Sequence, residues 1–275
     1  MAEAKRKEGS YGAQDITVLE GLEAVRRRPG MYIGTTDKSG LHHLIWEIFD
    51  NSRDEAMGGF ADDIEVALLP GNRIRVADNG RGIPVEIHPT TKVSTLETVL
   101  TILHAGGKFG GEGYKVSGGL HGVGAAVVNA LSVHMRAEVH RDGGKFVQEY
   151  KKGGKPDGKT KKIGSSKEHG TVITFEPDPL VFSTIEFDFD LVVSHLRQQA
   201  YLVKGMRIAI IDMRGLEKVD DESVIYLRDL GLDAPSTSFY FEGGLMSLVS
   251  FQNRHQTPVH KHIFYVEKEL DGVNV

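Results

Sequence analysis

An α+β fold is predicted from three observations. Apolar residues recur at helical spacing between Leu41 and Met57, two pairs of short β-rich runs are each joined by a glycine-containing turn, and further helical runs alternate with strand signals. With 275 residues, 40% of them hydrophobic, the chain is long enough to bury a large core.

The first ten residues, with Lys5-Arg6-Lys7-Glu8-Gly9, have no periodicity and read as a mobile arm. Between Leu41 and Met57, Leu41, Ile45, Ile48, Phe49 and Ala56 share one side, and Glu47, Asp50, Asn51 and Asp54 the other. This pattern is an amphipathic helix, stopped by Gly58-Gly59. Ile64 to Leu69 and Arg73 to Asp78 flank the turn signal Pro70-Gly71-Asn72, which makes them an antiparallel hairpin and leaves Asp78 at a strand end. Ser94-Thr95-Leu96-Glu97 matches a capping box, opening a helix that Leu96, Val99, Leu100 and Leu103 continue as far as Ala105-Gly106-Gly107.

Gly106 to Gly119 is glycine-rich without a period and reads as a lid. Val123 to Leu131 resumes a helix, and Met135 to His140 pairs with Lys145 to Tyr150 around Asp142-Gly143-Gly144, with Arg141 at the shoulder. Lys151 to Lys162, rich in lysine, glycine and proline, reads as a solvated loop, with a DNA-contacting tip as the less favoured alternative. Gly170 to Glu176 is a strand, Asp190 to Lys204 a helix closed by Gly205, and Met206 to Asp212 another strand. Leu245, Leu248 and Val249 suggest a helix ending before Thr257-Pro258, and His262 to Val266 starts a new strand.

Composition narrows the function classes. A net charge of −5 gives no overall electrostatic reason to bind nucleic acid, so any such contact is local or lies outside this segment. The absence of cysteine excludes disulfides and thiolate metal sites. No apolar run approaches the ~20 residues that span a bilayer, and the polar start is not signal-like, so a cytoplasmic protein without membrane contact is expected. His42-His43 and His260-Lys261-His262 lack the surrounding ligands of a transition-metal site.

Three motifs carry chemistry. Glu47 and Asn51 lie one helical turn apart and reach one cleft, where a carboxylate can polarise a water and an amide oxygen can ligate Mg²⁺ beside phosphates. Asp78 can accept from the exocyclic amine of adenine, whereas guanine presents another acceptor there, so ATP is expected to be preferred over GTP. Gly80 and Gly82 let the backbone pass close to the base, and Ile83-Pro84 supplies an apolar wall. Gly118-Gly119-Leu120-His121-Gly122-Val123-Gly124 puts glycines where a loop enters a helix, a phosphate cradle that is neither a P-loop nor a dinucleotide fingerprint, with Lys108 as an added charge.

With these motifs and with Arg27-Arg28-Pro29-Gly30-Met31-Tyr32-Ile33-Gly34, Asp50-Asn51-Ser52-Arg53-Asp54-Glu55-Ala56, His104-Ala105-Gly106-Gly107-Lys108-Phe109 and the run from Tyr114 to Gly124, the chain resembles the N-terminal ATPase region of the bacterial type IIA topoisomerases. The resemblance runs from about Tyr11 to the end. It implies a Bergerat-type (GHKL) two-layer α/β sandwich with helices on one face of a mixed, largely antiparallel sheet. It also implies an arm over 1–14, the ATPase domain over 15–244, and a linker helix with the start of a transducer domain over 245–275.

By the same resemblance Glu47 is the general base, Asn51 the Mg²⁺ ligand, and Asp78 with Thr171 the adenine contacts. Gly82 and Ile83 line the base pocket, Arg81 pairs with Glu55 across its mouth, and Arg141 is the rim arginine that aminocoumarin inhibitors contact. Lys108, Tyr114, Gly119, Leu120, His121, Gly122, Val123 and Gly124 surround the sugar and phosphates, and Tyr11 reaches the ATP site of the other protomer. ATP binding then favours a homodimer, which works with a DNA-cleaving partner protein on double-stranded DNA. Ser52-Arg53 replaces less polar residues of many relatives, so a more polar pocket floor is expected. The family's γ-phosphate lysine comes from the transducer domain beyond Val275, so slow turnover is expected of this chain. A topoisomerase IV-type member would share every motif quoted. An ATP-gated dimerisation module with little turnover, or a sensor-kinase domain, are the readings from other classes.

Overall fold

The computed structural model describes residues 13–16, 18–107, 122–260, 262–266, 269–270 and 273–274. Two short helices, α1 (Gly21–Arg27) and α2 (Gly30–Ile33), lead into the long helix α3 (Lys38–Met57). Asp37 starts α3 by accepting hydrogen bonds from the backbone N–H groups of Ser39 and Gly40, at 2.8 and 3.4 Å. The apolar stripe Leu41, Leu44, Ile45, Ile48 and Phe49 is buried, each side chain contributing roughly 1.5–3 kcal/mol through its removal from water.

The next elements are the hairpin β1 (Asp63–Leu69) and β2 (Arg73–Asp78), helix α4 (Thr95–Thr101) and helix α5 (Gly124–Ala130). They are followed by β3 (Ser132–Arg141), β4 (Gly144–Lys151), β5 (Lys155–Pro156), β6 (Lys161–Ser165) and β7 (Gly170–Pro177). Helix α6 (Phe189–Ala200), β8 (Arg207–Asp212), β9 (Ser236–Tyr240) and α7 (Leu245–Asn253) complete the main body. The strands form one sheet in the order β5-β4-β3-β7-β2-β1-β8-β9, with β6 also paired to β4. Its pairings are antiparallel except that of β1 with β8.

Strand alternation sorts side chains onto two faces. Ile64, Val66, Ile74, Val76, Met135, Ala137, Val139, Ile173, Phe175, Ile208 and Ile210 share one core with the apolar residues of α1 to α6, so the helices cover one face of a mixed sheet. This is the expected two-layer sandwich. The opposite face is covered by the segment after β8, where Val219, Ile225 and Leu227 pack against Ala67, Leu69, Ala77 and Val172.

Several expectations need correction. Lys151 to Lys162 is not simply a loop: it contains β5 and enters β6, whose residues are all exposed and held by backbone pairing to β4. His262 to Val266 forms no strand. The helix begun by Ser94 ends at Thr101 rather than near Ala105, and α6 ends at Ala200 rather than Lys204. Only half of the capping box forms: Ser94 Oγ accepts from Glu97 N at 3.0 Å, while the Glu97 carboxylate accepts from Gln148 Nε2. The expected arm and lid lie almost wholly outside the described residues.

Candidate active site

A cavity of about 1000 Å³ opens between α3, α4, the strand ends at Asp78 and Thr171, and the start of α5. On α3, Glu47, Asn51 and Glu55 follow at intervals of four residues, so one helical face presents all three to it. Glu47 Oε1 accepts a hydrogen bond from His43 Nε2 at 2.8 Å. That bond raises the His43 pKa above its ordinary value, against the opposing effect of partial burial. A Cβ at Gly124 would lie 2.0 Å from Glu47 Oε2, so the glycine at the start of α5 is what lets the helix approach the carboxylate.

Glu55 holds Arg81 by a two-pronged ion pair, with Nη2 at 2.8 Å from Oε1 and Nε at 3.1 Å from Oε2, while the Arg81 guanidinium stacks on Phe60 at 3.6 Å. Asp78 lies behind them, buried at 4% exposure. Its Oδ2 accepts from Ser52 Oγ at 2.7 Å, and Oδ1 accepts from the backbone N–H groups of Gly80 and Thr171 at 2.9 and 3.3 Å. Burial pushes the carboxyl pKa up, and the three hydrogen bonds pull against it. Ser52 thus places a hydroxyl on the pocket floor beside Asp78. Thr171 Oγ1 accepts from Ile83 N at 3.2 Å, which leaves its own O–H as a donor.

Two glycines permit the close approach of these strands and loops. Gly82 has a φ of 74°, and a Cβ there would lie 2.9 Å from His140 O. Gly170 has a φ of 136°, and a Cβ would lie 1.9 Å from Asp78 O. Arg141 Nη1 donates to Gly82 O at 3.0 Å and so ties the end of β3 to the cavity rim.

The cavity brings together Glu47, Asn51, Glu55, Asp78, Arg81, Gly82, Ile83, Pro84, Gly122, Val123, Gly124, Arg141 and Thr171. Tyr11, Lys108, Tyr114, Gly119, Leu120 and His121 lie outside the described residues. Sequence reasoning missed His43 and Gly170. The four-residue spacing to Glu47 pointed to His43, whereas nothing near Gly170 in the sequence announced its contact with Asp78.

A sandwich whose helical layer carries an acid and an amide one turn apart, facing a buried strand-end aspartate and a glycine-rich helix start, is that of an ATP-binding domain. The family model for histidine kinase-, DNA gyrase B- and HSP90-like ATPases matches residues 36–180, and the chain belongs to this family. It is similar to the DNA gyrase B protein of Halalkalibacterium halodurans, at 49% identity over 98% of this chain and 40% of that protein. The DNA gyrase B protein of Staphylococcus aureus is 46% identical over 97% of this chain and 39% of that protein. The crystal structure of the 43K ATPase domain of Thermus thermophilus gyrase B in complex with an aminocoumarin matches with a TM-score of 0.76 at 32% identity, covering 92% of this chain and 60% of that one. The chain therefore spans about two-fifths of the length of the full-length relatives it matches.

Proposed function

We propose that this chain is the ATP-binding and ATP-hydrolysing region of a DNA gyrase B protein, the component of a type IIA topoisomerase in which ATP-driven dimerisation gates DNA strand passage and negative supercoiling. The observation that carries the reading is one cavity lined by Glu47, Asn51, Asp78 and Gly124. Glu47 is the general base: it takes a proton from a water whose oxygen bonds to the γ-phosphorus, as the bond from that phosphorus to the bridging oxygen of ADP breaks. His43 orients the carboxylate through its hydrogen bond. Asp78 and Thr171 bind adenine, Gly82, Ile83 and Pro84 wall the base, and Gly122, Val123 and Gly124 receive the phosphates.

The residues fit Mg²⁺ in its usual setting of few protein ligands plus phosphate oxygens and water. Among the described residues no group of three His, Asp or Glu could cage a metal alone, while the Asn51 side chain lines the cavity. Bound Mg²⁺ neutralises phosphate charge, and Asn51 is its ligand from this chain. Lys108, Tyr114, Gly119, Leu120 and His121 complete the sugar and phosphate contacts. Tyr11 on the 1–14 arm reaches the partner's ATP site in the homodimer. Arg141 is the contact for an aminocoumarin inhibitor. In the full enzyme, the gyrase A protein and double-stranded DNA are the partners, and the cytoplasm is the address. The ATPase domain occupies 15–244. Helix α7, which buries none of its residues here, supports a linker and the start of a second domain over 245–275.

Calorimetric titration with MgATP and MgGTP, beside Asp78→Asn, tests the reading. Binding of ATP but not GTP is expected, weakened about five- to 150-fold by the substitution for ~1–3 kcal/mol of lost pairing. A folded chain that binds both nucleotides equally, or ignores the substitution, would remove the adenine assignment.

A further inference from the structure

The strongest feature not used by the ATP site is a basic surface at one edge of the sheet. Residues 151–168 contain seven lysines against Asp157 and Glu168, a local charge of +5 in a chain of net −5. All seven lysines are exposed. They do not stand alone, because the β4–β5 turn packs on α1: a Cβ at Gly153 would lie 3.2 Å from Arg26 Cδ, and one at Gly154 2.4 Å from Leu22 Cδ1. Exposed Arg27 and Arg28, more than 120 residues earlier in the chain, directly follow Arg26 at this end of α1.

Little of this charge is neutralised internally. Lys151 pairs with Asp157 at 2.9 Å, and Lys152 stands 3.8 Å from Asp178, which Arg26 already holds at 2.6 Å. Arg27 is 3.6 Å from Glu23, both exposed. Among the described residues, Lys155, Lys159, Lys161, Lys162 and Lys167 have no carboxylate within 4.0 Å. Lys151 and Lys155 are also direct cross-strand partners, a like-charge pairing that costs stability in the isolated protein.

Edge protection is the plain alternative, since lysines discourage strands of other molecules from adding to a sheet. The other edge argues against it as the whole reason. There β9 reads Ser236-Thr237-Ser238-Phe239-Tyr240 without one charge. Concentrating unpaired lysines at one edge, at a cost in repulsion, suits a polyanion better than a general guard.

Resting on the reading of the chain as part of a DNA-acting enzyme, we infer that the β4–β5–β6 edge and the end of α1 form a docking surface for the phosphate backbone of double-stranded DNA. The surface carries flexible ammonium and guanidinium groups, which contact phosphates rather than base edges, so recognition is independent of base sequence. Affinity follows counterion release and falls steeply with salt, from a dissociation constant of roughly 10⁻⁶ to 10⁻⁴ M at physiological ionic strength.

The test measures fluorescence anisotropy of a labelled duplex of mixed sequence against the 275-residue chain over a salt series, for the wild type, K161Q/K162Q and the control K204Q/K218Q. Both control lysines are exposed and lie elsewhere in the sequence. The wild type and control should bind alike, while K161Q/K162Q should lower the log–log salt slope by about 0.9 for each lost contact and weaken binding about tenfold or more at low salt. Equal loss in the two double variants, no salt-dependent binding by the wild type, or binding to anionic phosphatidylserine vesicles in place of duplex would each overturn the inference. ATP binding is measured in parallel on all three proteins. Loss of duplex binding with intact ATP binding confirms a surface separate from the nucleotide site. Duplex binding by a chain that cannot bind ATP would sustain this inference while removing the ATPase reading.

Discussion

On the helical side of the sheet, Ile64, Val66, Val76, Met135 and Ile173 are buried against other apolar side chains. On the opposite side, the residues between them include Glu65, Arg75, Glu138 and His140, which are equally buried but polar or charged. Arg75 donates from Nη1 and Nη2 to the carbonyls of Ile225 and Val224, both at 2.7 Å, and Glu65 accepts from the backbone N–H groups of Leu227 and Arg228 at 2.6 and 3.1 Å. Arg136 binds Glu138, Glu149 and Glu222, and Glu138 also receives His140 and Lys145. Burial pushes the Glu138 pKa up, yet the hydrogen bonds from His140 and Lys145 outweigh it and hold the carboxyl below its ordinary range.

The two faces differ in what they must specify. The helical face is held mainly by nonpolar burial, with a few buried polar groups outside the cavity such as Asn129, which donates to Leu100 O, and Asp178, which pairs with Arg26. The other face secures an irregular segment, residues 219–230, whose backbone donors and acceptors would otherwise be buried unpaired, and charged side chains supply the partners. Such buried pairs add little net stability compared with apolar replacements, yet losing one member leaves the other stranded.

The largest contrast should come from Glu47→Ala on the helical face. Phosphate release is expected to fall ~10²–10⁴-fold with ATP binding retained and the thermal midpoint nearly unchanged. Turnover equal to that of the parent would end the assignment of the base. Arg75→Ala should do the reverse, costing ~3–5 kcal/mol in urea unfolding because the carbonyls of Val224 and Ile225 lose their donors and buried Glu65 keeps only Arg228, 3.8 Å away, as a cation. Replacing the pair together, as E65L/R75M, should not recover that loss, because the carbonyls of Val224 and Ile225 and the N–H groups of Leu227 and Arg228 then all lose their partners, and recovery would show that the charges rather than the backbone contacts govern the segment.

The smallest expected effect is a pH dependence at His43. Its folded pKa is raised above the ordinary 6.5 chiefly by the hydrogen bond to Glu47. The pair's contribution to stability is therefore complete below the unfolded pKa and is lost as pH rises through the folded one. Thermal midpoints of wild type and His43→Gln should differ most below the ordinary histidine pKa of about 6.5 and draw together as pH rises above the folded one. A gap that widens with pH would contradict the geometry.

Much of this was legible in the sequence where the signal is local. Pro70-Gly71-Asn72 marked the first hairpin, and Gly71 and Asn72 do adopt positive φ values of 77° and 57°. The four-residue rhythm of Glu47, Asn51 and Glu55 needed only helical geometry. What stayed hidden depends on distant partners or on environments that break the usual pattern. Asp78 and Thr171 meet across 93 positions, through a glycine with no local signature. Exposed β6 has no alternation to read because neither of its faces is buried. His262 to Val266 has strand-like residues but, within the described residues, no strand to pair with. Glu65 and Arg75 occupy alternate positions that a two-layer rule assigns to solvent, yet a later segment covers them.

The parallel pairing of β1 with β8, from Asp63 opposite Arg207 to Leu68 opposite Asp212, also sets an order of events at the ribosome. Strand β1 can join β2 soon after both emerge, but its second edge must wait for a partner roughly 140 residues later, some ten to thirty seconds at ordinary rates of synthesis. Chains stalled before Arg207 should accordingly be cut by protease within residues 63–78, and chains with β8 outside the exit tunnel should resist. Until then the nascent chain displays the unpaired edge of a strand carrying Ile64, Val66 and Leu68, and it is this interval that a chaperone has to cover.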